Sequence, residues 1–169
     1  MKKITKILAL LLVCLGLTQV NGQITEVVTN LSAPHGLALD TVSNRLYFSQ
    51  CDSLNGNKIS YVSLDSPEGD VIDLIAGNLG KPTRLKIASD NFLYVAETET
   101  NAGRISRANL SAAGVPQLVP YITFGLVSPR GLDIKNGTIY VGDYGNYAIK
   151  RFVPQGTGFQ TSVLRYDLA

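Results

Sequence analysis

Histidine occurs once in these 169 residues, at His35, and cysteine twice, at Cys14 and Cys51. A lone histidine with no Gly-x-Ser-x-Gly elbow gives no basis for a Ser-His-Asp hydrolase. No Gly-x-Gly-x-x-Gly or Walker pattern is present, so the glycines cradle no phosphate. Charged residues make up only 17% of the chain against 45% hydrophobic ones, which argues for a globular fold and against disorder. The apolar run Ile7–Leu17 falls short of the ~20 residues that cross a bilayer.

That run follows Lys2, Lys3 and Lys6 and precedes Val20-Asn21-Gly22, the layout of a cleaved signal peptide over residues 1–22. The expected destination is the periplasm, the cell surface or the medium. Removing the signal takes three lysines and no acids, so the formal charge moves from +2 to −1 and no basic surface for nucleic acid remains. Cys14 leaves too, and Cys51 alone forms no internal disulfide. Asn30, Asn109 and Asn136 begin N-glycosylation sequons, relevant only in a host that modifies exported chains.

The remaining chain repeats. Leu31-Ser32-Ala33-Pro34-His35-Gly36-Leu37 returns as Leu79-Gly80-Lys81-Pro82-Thr83-Arg84-Leu85 and as Leu126-Val127-Ser128-Pro129-Arg130-Gly131-Leu132. The prolines are 48 and 47 residues apart, a pitch that marks propeller blades or solenoid units. Each unit continues with a tyrosine strand around Tyr47, Tyr94 or Tyr140, a third strand around Ile59, Ile105 or Ile149, and a fourth at 71–75, 117–122 or 160–165. Turns such as Asn136-Gly137 fall inside the unit, so the strands pair antiparallel and a parallel solenoid is disfavoured.

The expected fold is therefore all-β: β-propeller blades at about 31–77, 78–124 and 125–168, with an extra strand at 24–29 from a preceding or closing blade. Three blades are fewer than the four to eight that close a ring. Either the chain is part of a larger propeller, the favoured reading, or copies associate to complete one.

The run Pro129-Arg130-Gly131-Leu132-Asp133-Ile134, followed by Ile139-Tyr140-Val141-Gly142-Asp143-Tyr144-Gly145-Asn146, resembles the NHL repeat. Its broader relatives are six-bladed propellers of the SMP-30/gluconolactonase and TolB-like type. At the Asp143 position the second unit has Glu97 and the first has Gln50 or Asp52. Asp143 and Asn146 are expected to fix the hairpin between second and third strands through short side-chain to backbone bonds.

The gluconolactonase resemblance implies a divalent cation, such as calcium, in the central channel and hydrolysis of a lactone. Its ligands would fall partly at the residue after the proline, which here is His35, Thr83 or Arg130. A guanidinium cannot ligate a metal, so this chain supplies no metal site of that kind and no catalytic residue. The inner strands instead bring His35, Arg84, Lys86 and Arg130 towards one channel mouth, with Asp133 as counter-charge, a setting for an anionic group. The sequence thus points to an exported, non-catalytic propeller module that binds a protein, glycan or small ligand and needs no cofactor. The alternative is a metal-dependent lactone hydrolase whose ligands lie partly on further blades.

Overall fold

The computed structural model describes residues 26–52, 56–66, 69–77, 79–98 and 102–164. The signal segment expected at 1–22 lies outside them. Among the described residues, twelve strands form three antiparallel sheets of four, each in sequence order. The first contains β1 (Pro34–Asp40), β2 (Arg45–Asp52), β3 (Gly56–Ser63) and β4 (Ile72–Ala76). The second contains β5 (Lys81–Ile87), β6 (Phe92–Thr98), β7 (Gly103–Asn109) and β8 (Val119–Ile122). The third contains β9 (Pro129–Lys135), β10 (Thr138–Asp143), β11 (Ala148–Gln155) and β12 (Gly158–Leu164), with a 3-10 turn at Tyr144–Asn146. The three repeats are the three sheets.

The strand expected at 24–29 lies partly outside the described residues, and Glu26–Thr29 pair with no strand. An outer strand needs the third strand of its own blade as ladder partner, and no described sheet offers a vacant one there.

Turn chemistry sets the sheets. Asn136 and Gly137 have φ of 50° and 75°, the left-handed pair of a type I′ hairpin, and join β9 to β10. Asn44 and Asn91 take positive φ at the corresponding turns of the other two sheets. Asn91 then donates from Nδ2 to Ser111 Oγ at 2.6 Å, tying the first hairpin of its sheet to the loop beyond the third strand.

Alternation gives each sheet two apolar faces, and the core lies between sheets. Tyr47, Ile59, Leu85, Leu93 and Val95 fill the space between the first two. Tyr94, Ile105, Ile122, Leu132, Ile139 and Phe152 fill the space between the second and third. There Tyr121 and Phe159 meet edge to face at 5.0 Å, and the Arg107 guanidinium lies 3.8 Å from the Tyr121 ring centre. The inner strands β1, β5 and β9 run side by side. Gly36 allows that approach: a Cβ there would sit 2.9 Å from the Arg84 Cα.

Among the described residues no helix is long and apolar enough to cross a membrane.

Candidate functional site

Each inner strand opens on the Pro-x segment, and each sheet has a register irregularity there. The β1–β2 ladder slips between Pro34 and Leu37, β5–β6 between Pro82 and Arg84, and β9–β10 opposite Pro129 at Gly142/Asp143. A bulge re-aims the side chains beside it, so the residue after each proline leaves the strand's alternation.

The consequences differ by sheet. His35 is exposed and makes no hydrogen bond or ion pair with any described residue. The Thr83 hydroxyl lies 2.8 Å from Pro129 O and 3.2 Å from Ala96 O, where it bonds across the boundary between second and third sheets. The Arg130 guanidinium stacks on Tyr144, 4.1 Å from the ring centre.

Lys86 Nζ and Asp133 Oδ1 pair at 2.7 Å across β5 and β9. The Lys86 hydrogen bond, the Ile134 N–H and the charge of Arg84 hold the Asp133 carboxyl below its usual value. Of the mouth residues expected from sequence, the structure brings together Arg84, Lys86 and Asp133. His35 and Arg130 form no hydrogen bond or ion pair with that cluster. Among the described residues no three His, Cys, Asp or Glu side chains converge as a metal site would require.

A second set of polar groups recurs at the end of each second strand. Glu97 is fully buried and accepts from Arg104 Nε at 2.9 Å, Arg104 Nη2 at 2.8 Å, the Ser106 hydroxyl and the Gly80 N–H at 2.8 Å. Asp143, also buried, accepts from the N–H groups of Val127 and Ser128, from Lys150 Nζ at 2.9 Å and from Asn146 Nδ2 at 2.6 Å. Burial pushes the Asp143 carboxyl up, but Lys150 and the Ser128, Asn146 and Val127 donors outweigh it and hold the value low. Gln50 accepts from the Ser32 N–H at 2.9 Å and donates to Ser60 Oγ.

All three therefore grip the loop leading into their own sheet's first strand. Gln50 stands opposite Pro34, as Glu97 does Pro82 and Asp143 does Pro129, so Gln50 rather than Asp52 is the equivalent residue. Asp143 and Asn146 do bond to each other within the hairpin. The longer-range grip had one sequence signal, the recurrence of an acid or amide at that repeat position, which indicates burial but names no partner.

Sequential four-stranded antiparallel sheets at a pitch of 47 to 48 residues, with adjacent inner strands, are β-propeller blades. No protein-family profile matches the chain. Among solved structures it is similar to the nidogen of a nidogen/laminin complex, with a TM-score of 0.62 and 23% identity over 81% of this chain and 49% of that one. It is also similar to a gluconolactonase from Xanthomonas campestris, with a TM-score of 0.55 and 14% identity over 69% of this chain and 36% of that one. A pyrroloquinoline-quinone-bound aldose sugar dehydrogenase from Streptomyces coelicolor gives 0.55 and 20% over 79% and 48%. These likenesses show the fold alone, that of part of a β-propeller. The chain spans about half the length, or less, of these three structures.

Proposed function

We propose that this chain is an exported, non-catalytic propeller module that binds a ligand at the axial mouth and blade loops, with Arg84 and Lys86 facing an anionic group on that ligand. The observation carrying this reading is the use made of the residues after the prolines. Thr83 is engaged with backbone carbonyls across a blade boundary, and Arg130 places a stacked guanidinium where a gluconolactonase-like site would need an oxygen donor. The Asp133 carboxylate is occupied by Lys86.

The signal-like N-terminus supports export. The nidogen neighbour was solved in complex with laminin, which supports a protein as the ligand. The gluconolactonase neighbour favours the second reading, a metal-dependent lactonase.

Thermal melts in calcium and in EDTA, together with hydrolysis of a glucono-lactone, separate the two. A resident divalent ion at a hundredfold above its dissociation constant adds about 2.7 kcal/mol. At about 2–4 °C per kcal/mol that is a shift of about 5–10 °C. The binding module should show neither shift nor turnover, and chelator-sensitive lactone hydrolysis would overturn this reading.

A further inference from the structure

The junction between the first and second blades and that between the second and third are built differently near the rim. In the second blade Arg107 on β7 lies between two rings, 4.6 Å from the centre of Phe92 on β6 and 3.8 Å from that of Tyr121 on β8. Tyr121 in turn meets Tyr94 at 5.8 Å and Phe159 of the third blade at 5.0 Å, so aromatic side chains pack that junction.

The first blade has the same positions with different contents. Register places Arg45 where the second blade has Phe92, and Tyr61 where it has Arg107. Leu74 and Tyr121 are each the extra residue of the bulge between third and fourth strands. The Arg45 guanidinium lies 4.6 Å from the Tyr61 ring centre, and the stack stops there because Leu74 carries no ring. The facing wall is the loop after β7 in the second blade, which contributes Leu110, Val115 and Pro116 and no aromatic residue. Between the walls is a groove of about 330 Å³, the size of a small-molecule pocket. Both walls belong to described blades that pack on each other, so the groove owes nothing to the open faces of the first and third.

The charge of the groove is one-sided. Asp73 is occupied, accepting from Lys58 Nζ at 3.1 Å and from the Ser60 hydroxyl at 2.7 Å. Arg45 is in no ion pair with any described residue, and a planar guanidinium suits a carboxylate through paired hydrogen bonds. We propose that this groove is a second ligand site, taking a small aromatic carboxylate. The ring lies against Tyr61 and Leu74, in the place that Tyr121 fills one blade later, and the carboxylate meets Arg45. The site is built on the second to fourth strands, whereas Arg84 and Lys86 belong to an inner strand, so the inference is independent of what the mouth binds.

Naphthoate is a suitable probe, because the chain has no tryptophan to mask the ligand's fluorescence. Titrating the full chain into naphthoate should give a saturable rise in anisotropy, with a dissociation constant between micromolar and millimolar. Leu74→Tyr supplies the ring that the second blade carries, and should abolish the rise while the thermal melt stays at or above that of wild type. Arg45→Leu, at a half-buried position, should weaken binding about fivefold or more. Cyclohexanecarboxylate has the charge without the ring and naphthol the ring without the charge, so both should compete poorly. If Leu74→Tyr melts below wild type, Arg45→Leu decides. No saturable binding at millimolar naphthoate, binding that survives a folded Leu74→Tyr, or binding indifferent to Arg45→Leu would overturn the proposal. Binding lost in Arg84→Ala but kept in Arg45→Leu would put the ligand at the axial mouth and overturn it equally.

Discussion

Replacing Glu97 with alanine removes a carboxylate that is 0% exposed and accepts from Gly80 N–H, two nitrogens of Arg104 and the Ser106 hydroxyl. Deleting one partner of a fully buried ion pair costs about 3–5 kcal/mol. The Arg104 side chain keeps 26% exposure, so solvent absorbs part of the loss and the penalty falls at the low end, about 3 kcal/mol. Glu97→Gln keeps the volume and one acceptor oxygen but turns an NH2 towards donors, and should cost about 1–3 kcal/mol. The first blade accepts an amide at this position because Lys58, the counterpart of Arg104, pairs with Asp73 instead, and the Ser60 hydroxyl oxygen receives the amide's hydrogen.

At about 2–4 °C per kcal/mol, the alanine variant should melt about 6–12 °C below wild type, with glutamine between them. Circular dichroism melts at pH 7, supported by urea titration, give the comparison. An alanine shift under about 1 °C, or a glutamine variant less stable than alanine, would refute the assignment of this carboxylate as a principal tie of the middle blade.

Two further outcomes follow from the blade geometry. Gly36→Ala puts a Cβ 2.9 Å from both Arg84 Cα and Leu85 N; backbone atoms yield poorly, so about 1–3 kcal/mol should be lost in urea titration. Asp143 has a depressed folded-state pKa, so its contribution is present above the unfolded value of about 3.9 and is lost as pH falls through the lower folded value. The stability gap between wild type and Asp143→Asn should hold from pH 7 to about 5 and shrink below about 4; a gap that widens in acid would contradict the Lys150 pairing.

The blades were legible in the sequence because proline pitch and tyrosine strands report the same local chemistry three times, with an Asn-Gly turn inside the last unit. The mouth was less so. His35, Arg84, Arg130 and Asp133 were placed together on the premise that inner strands converge. Convergence brings backbones side by side, but the bulge at each Pro-x segment decides where the side chain points. In the sequence Thr83 is one of three post-proline positions, and its carbonyl bond across the blade boundary depends on the third dimension. The bond of Asp143 to Asn146 is legible within its own hairpin, three residues away, while its hold on Val127 and Ser128 spans 16 and 15 residues and shows in the sequence only as an acid or amide recurring at that repeat position.

Every ladder joins strands that are consecutive in the chain. Closing such short loops demands little entropy, and local pairing favours rapid folding among all-β proteins. A blade can zip up as soon as its own forty-odd residues are available, with its loop already gripped by Gln50, Glu97 or Asp143. The clefts between blades follow a different clock, since a face is sheltered only when its successor has formed. A chain folding in this order always carries one sticky face at its growing end, and its hazard of aggregation lies in the interval before the final face is covered.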